Sequence, residues 1–197
     1  MYDYLNGTDD IIKNRIKIVK NHKNLGATLS TYYWSRRLCN PNDIIVHVDM
    51  DDSLIGRQVF KVINAIYHDP NIWYAYSRYI IQWSPAEMPN AGKSLPINIK
   101  MQDYRHVIDW KTSAMRTLRY EVMNNVPVEH LVEYHYDEKS KKLSPKFYDT
   151  DADRFLIYSQ LELSGEQRIR FVNDAFYYYN TSYSLAGKCN MRHEHFD

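Results

Sequence analysis

The hydrophobic residues of this chain come in short blocks whose period switches between that of a helix and that of a strand. Thr8 and an acidic pair precede Ile11, Ile12, Ile16 and Val19, so a helix with an N-cap and a negative first turn is expected over 9–21. Asn24-Leu25-Gly26 breaks it, Gly26 being free to take a positive φ, and ATLSTYYWSRRLC (27–39) resumes a helical pattern. Asn40-Pro41-Asn42-Asp43 reads as a turn, and the β-branched run behind it predicts a strand over 44–49. Ile55, Val59, Phe60, Ile63, Ile66 and Tyr67 share one helical face, which predicts a helix over 53–67 ended by His68-Asp69-Pro70-Asn71. IWYAYSRYIIQW (72–83), rich in aromatic and β-branched residues, predicts a long strand.

Beyond this point the pattern is sparser. Pro85, Pro89, Gly92 and Pro96 make 84–104 a long loop, of the kind that is usually functional or mobile. KTSAMRTLRYEVMNN (111–125) predicts a helix stopped by Pro127, and the charged stretch over 133–148 reads as an exposed excursion. Thr150 or Asp151 can cap a helix that carries Phe155, Leu156, Ile157, Leu161 and Leu163 and closes at Gly165. RIRFV (168–172) and AFYYYN (175–180) predict two short strands. Helices alternating with strands imply α/β layering, and 197 residues suit a single domain over 1–197.

Composition narrows the function classes. With Lys+Arg 25 against Asp+Glu 24 the net charge is +1, so no global attraction to nucleic acid or to an anionic membrane is implied. Cys39 and Cys189 are the only cysteines, which supports neither a disulfide framework nor a thiolate metal cluster. No segment approaches the roughly 18 apolar residues of a membrane span, and the expectation is a soluble, cytoplasmic protein. Tyrosine is abundant, at 18 residues against 6 Phe and 4 Trp; it suits sugar binding and interfaces, but ordinary half-buried filler is the weightier reading.

The chemistry concentrates in DIIVHVDMDD (43–52), where a strand ends in Asp49, Asp51 and Asp52. Carboxylates this close repel one another unless a cation or hydrogen-bond donors compensate. Hard oxygen ligands of this type suit Mg²⁺ or Mn²⁺, which bind through one or two carboxylates plus substrate phosphates. Alternatively, Asp51 or Asp52 starts the next helix as a cap. Arg36 and Arg37, at the end of their helix, either complement its dipole or reach a diphosphate.

Taken in order, NGTDD (6–10), NLG (24–26), DIIVHVDMDD, the aromatic strand, WKTSAMR (110–116), TDADRFLIYSQLELSGEQRIRFV (150–172) and FYYYN (176–180) resemble the family 2 glycosyltransferases of the GT-A fold. The resemblance covers nearly the whole chain. It implies a GT-A-like mixed sheet flanked by helices, N-terminally truncated because the family's first strand-helix-strand unit has no counterpart here. Asp49 and Asp51 match the family's D-x-D motif, which holds a nucleotide-sugar through a divalent metal and the ribose, and Asp52 matches a commonly acidic neighbour. Asn24 and Gly26 are implied to border the donor.

Asp153 matches the catalytic base at the start of a late helix, with Asp151 as the second candidate; Asp149, Asp151 and Asp153 would equally stabilise that helix's amino end without catalysis. The residue before Asp153, often acidic in the family, is Ala152, and Ala114 stands where relatives often carry a His. His193, in the terminal HEH, is a candidate further metal ligand, and Trp83 and Trp110 are candidate sugar-stacking residues. The implied activity is an inverting, Mn²⁺- or Mg²⁺-dependent transfer from a nucleotide-sugar donor, a UDP-sugar first, to a glycan or protein acceptor. The alternative is a non-catalytic GT-A-like binding module or a fragment of a larger assembly. Phosphoryl transfer is disfavoured, since no glycine-rich phosphate loop is present. An open sheet edge where the first strands are missing would favour a homo-oligomer.

Overall fold

The computed structural model describes residues 16–81, 104–107, 112, 114–148 and 152–180. Helix α1 spans Ala27–Leu38. Its start is set by an Asx-type turn, in which the Asn24 side-chain oxygen accepts the Gly26 N–H at 2.9 Å while Gly26 adopts φ 73°. Strand β1 (Ile44–His47) and the two-residue β2 (Ser53–Leu54) lead into helix α2, Val59–Tyr67. Strand β3 (Tyr74–Ile81), the short helix α3 (Tyr104–Val107), strand β4 (Arg116–Arg119) and helix α4 (Tyr120–Asn124) follow. A 3₁₀ turn, Val128–Leu131, opens the hairpin of β5 (Val132–Asp137) and β6 (Lys142–Phe147). Helix α5 (Ala152–Ser164) and strand β7 (Ile169–Tyr179) complete the described chain.

The main sheet is mixed, in the order β1-β4-β3-β7-β2, with β3 and β7 parallel and the other neighbours antiparallel. Helices cover both faces. On one, Tyr32 of α1, Val122 and Met123 of α4, and Leu156, Ile157 and Leu161 of α5 pack with Ile45, Tyr74, Tyr76 and Leu118 of the sheet. On the other, Val59, Ile63 and Tyr67 of α2 pack with Ala75, Tyr79 and Tyr177. This is an α/β architecture, and much of the tyrosine is core filler, with Tyr74, Tyr76 and Tyr104 almost wholly buried. Among the described residues β1 and β2 are the outer strands of this sheet.

Several expected boundaries move. Of the helix expected over 9–21, residues 16–21 are described and are not helical. There Asn21 spends its side chain on α1, giving its amide to Ser30 and taking the indole N–H of Trp34, both at 2.9 Å. The strand expected over 44–49 ends at His47, and a turn closed by the Asp52 N–H on the Asp49 carbonyl at 3.1 Å takes its place. Helix 53–67 begins only at Val59, since Ser53 and Leu54 pair with Tyr178 and Tyr177 of β7.

Two segments change type. The helix expected over 111–125 is strand β4 followed by the short α4. Its local propensity yields to pairing on both sides, with β1 through Ile45↔Leu118 and with β3 through Ala75↔Thr117. The excursion expected over 133–148 is the β5–β6 hairpin, with Asp137 closing its turn through the Lys139 N–H and the Ser140 hydroxyl at 2.9 and 2.8 Å. The two strands expected at 168–172 and 175–180 are halves of β7, split by a bulge at Asn173 and Asp174 where its register against β3 shifts. Helix α5 closes at Gly165, φ 73°, as expected. Most of the loop over 84–104 lies outside the described residues.

Candidate functional site

The turn Asp49–Asp52 joins β1 and β2, which stand at opposite ends of the strand order, so it lies across the carboxyl ends of the parallel strands. Open α/β sheets generally bind ligands at that end. A cavity of about 50 Å³ opens there, lined by Ala27, Thr28 and Thr31 of α1, His47 and Asp49 from the end of β1, Arg116 of β4, and Asp153 of α5 with its neighbours Leu156, Ile157 and Gln160. Asp49 and Asp153, 104 positions apart in the sequence, thus border one space.

Asp52 has a different task from its neighbours. Its carboxylate accepts the Tyr177 hydroxyl at 2.7 Å and the Asn180 N–H at 2.8 Å. The same Tyr177 oxygen accepts the Asp49 N–H at 3.1 Å. The end of β7 therefore clamps the acidic turn, leaving Met50 at its tip 78% exposed. Tyr177→Phe removes both hydroxyl contacts and is expected to cost about 1–3 kcal/mol of stability. Denaturant unfolding checks the loss, and an unchanged midpoint would contradict the clamp.

Asp49 is exposed at the rim, yet the protein around its carboxyl withdraws enough water to lift its pKa above the ordinary range. Arg116 opposes the lift, and Asp52, Asp51 and Asp153 add to it. Tyr179 is raised as well, by burial first and then by the same four carboxylates. These two residues register a shared negative field at the mouth of the cavity. His47 is the reverse: burial, aided by Arg116, pushes its pKa down to about 3, so its ring is neutral at physiological pH. Asp153 sits in the first turn of α5 with its carboxylate 3.9 Å from Arg116, where it also complements the helix dipole.

Asp49 and Asp51 suit the mode of Mg²⁺ or Mn²⁺ binding in which the protein gives one or two carboxylates and substrate phosphates fill the remaining positions. Burial of Asp49 and, to a lesser degree, repulsion from Asp52, Asp51 and Asp153 are what such a cation would offset. Among the described residues no group of three His, Cys, Asp or Glu side chains could hold a metal alone. Asp151, His193, Trp83 and Trp110 lie outside the described residues. Asn24 and Gly26 shape the start of α1, whose next residues line the cavity. Arg36 and Arg37 are in the last turn of α1 and fold back on Tyr32 and Tyr33, each guanidinium 4.8 Å from the ring centre. Nine residues of helix, about 14 Å, separate Arg36 from Ala27 at the cavity, so the dipole role fits and the diphosphate role does not.

Sequence reasoning missed Arg116 and His47 as members of the site. Both lie on adjacent strands in direct register, His47↔Arg116. The signal for His47 was its position two residues before Asp49, on the same side of an alternating strand; Arg116 was hidden by the helical reading of its segment. No known protein-family model matches the chain, and no curated protein is significantly similar to it in sequence. Fold and site together define a mixed α/β protein with an acid-rimmed cavity at the carboxyl end of its sheet. Among the described residues no helix is long and apolar enough to cross a membrane.

Proposed function

We propose that this chain is an inverting glycosyltransferase of GT-A type that binds a nucleotide-sugar, a UDP-sugar in the first instance, with Mn²⁺ or Mg²⁺. The observation that carries the reading is the meeting of Asp49, from the strand-end acidic turn, with Asp153, from the first turn of a late helix, around one cavity. Asp49 and Asp51 would hold the cation that neutralises the donor's diphosphate, and Asp52, tied to Tyr177 and Asn180, fixes the turn that presents them. The bound cation would neutralise charge developing on the leaving nucleoside diphosphate.

Asp153 takes the proton from the acceptor hydroxyl as that oxygen bonds to the anomeric carbon on the face opposite the phosphate. The carbon–oxygen bond to the diphosphate breaks with its electron pair leaving on the diphosphate, and configuration inverts. Arg116, 3.9 Å from Asp153, helps to orient the base.

A second reading, a non-catalytic binding module, draws support from the cavity's size, since about 50 Å³ is far below the few hundred Å³ typical of a ligand pocket. Calorimetric titration of UDP with and without Mn²⁺ tests the transferase reading. Binding that requires the metal is the expected result. Failure of every nucleoside diphosphate to bind would overturn it.

A further inference from the structure

Strand β7 is paired along the whole of one edge and along only part of the other. On one side β3 follows it from Ile169 to Tyr179. On the other, β2 reaches only Tyr178 and Tyr177, and the Ile55 N–H on the Phe176 carbonyl at 2.8 Å ends that ladder. Gly56, at φ 85°, then turns the chain away toward α2. Over 169–172 no described residue pairs with the outer edge of β7. In a strand paired on one side, every second residue turns its N–H and C=O away from the neighbour, so this edge offers free donors and acceptors. The bulge at Asn173 and Asp174 marks the end of that open run.

A groove of about 530 Å³ runs beside the open edge, walled by Val62, Ala65 and Ile66 of α2 and by Arg170, Val172 and Asn173 of β7. That is the size of an ordinary ligand pocket. Strand alternation gives Arg170 and Val172 to the α2 face, while Ile169 and Phe171 pack against the core on the other face. Arg170 is exposed, and its guanidinium has no hydrogen-bond or ion-pair partner among the described residues. Asp69, just beyond α2, also lines the groove, but its carboxylate takes the Asn71 N–H at 2.9 Å and leaves Arg170 alone. Arg170 lies opposite Ala75, near the start of both parallel strands, so the groove is at the end of the sheet away from the acidic turn.

We propose that this edge docks an extended peptide of a partner protein, which adds as a strand antiparallel to β7 along the line that β2 leaves. Main-chain bonds to β7 supply the ladder, and the groove selects the side chains. The peptide residue opposite Val172 is apolar and fills the space beside Val62, Ala65 and Ile66. Two positions further on, opposite Arg170 and on the same face, it carries a carboxylate. A second copy of this chain paired edge to edge would set one Arg170 beside the other on that face, which like-charge repulsion disfavours.

The test is titration of the full chain, followed by protein NMR shifts, with acetyl-Thr-Ile-Thr-Glu-Thr-amide and with the same peptide carrying Lys for Glu. The Glu peptide is expected to bind at least about fivefold tighter, the swing from an opposite to a like charge across a strand pair. Arg170→Glu should reverse the preference. Ala65→Glu, at an exposed position of α2 where Glu suits a helix, should abolish binding of both peptides without threatening the fold. Methylating one alternate set of the peptide's backbone amides should abolish binding, and methylating the other set should spare it. Equal binding of the two peptides, or binding of neither, overturns the docking site, as does a preference that survives Arg170→Glu or an equal response to both methylated sets. Self-association that Ala65→Glu abolishes, with no peptide bound, would overturn it in favour of a second copy.

Discussion

Asp153→Asn is expected to slow Mn²⁺-dependent release of UDP from a UDP-sugar by about 10²–10⁴-fold, the usual contribution of a positioned general base. Affinity for UDP should stay within about threefold of the parent, since the proposed mechanism puts Asp153 on the acceptor and the Asp49–Asp52 turn on the donor. Asn keeps the size of the side chain and most of its value at the start of α5, so the fold is preserved. The side chain is 56% exposed and pairs with Arg116 only at 3.9 Å, so little stability is at stake. A variant with undiminished turnover would leave Asp153 as a helix-dipole residue and nothing more.

Arg119→Met is expected to destabilise the protein by about 2–3 kcal/mol through the loss of charge-assisted hydrogen bonds. Its guanidinium gathers the carbonyls of Ile72, Tyr67 and Asp69 at 2.8, 3.0 and 3.0 Å, closing the carboxyl end of α2 and the turn into β3. The same group lies 5.4 Å from the Tyr67 ring centre, and Tyr67 continues inward by a 3.0 Å bond to Thr117, whose hydroxyl reaches the Ala75 carbonyl at 3.1 Å. Met fills the hydrophobic stem's space but donates nothing. Thermal unfolding should show a fall of roughly 2–4 °C per kcal/mol, and a shift below one degree would contradict the assigned role.

Much of the layering was legible because the core elements carry clean periods. Val59, Ile63 and Tyr67 are at helical spacing and all buried, while Phe60, placed on the same face by the pattern, is 65% exposed. The aromatic strand is β3, central among the five. What misled was local propensity where long-range pairing decides: Arg116–Arg119 is composed like a helix, and only its two neighbouring strands make it a strand. The hairpin hid for the opposite reason. Tyr134, Tyr136 and Leu143 alternate with polar residues as in a strand, yet they remain 61%, 54% and 65% exposed, so charge dominated the reading of that stretch.

For the site, the sequence carried Asp49 and Asp153 but could not divide the acidic turn. Asp52 looks like its neighbours, and only the arrival of Tyr177 and Asn180 from the end of β7 gives it a fixing task. The rest of the cavity lining was illegible, since Arg116 and the amino end of α1 come together only through the tertiary fold.

The division of labour around the cavity is tested most directly by calorimetric titration of UDP, with Mn²⁺ present, on Asp51→Ala and Asp153→Asn in parallel. The expected result is loss of metal-dependent UDP binding in the Asp51 variant and binding within about threefold of the parent in the Asp153 variant, a change under about 0.7 kcal/mol. Undiminished UDP binding by Asp51→Ala, or equal loss in both, would contradict it.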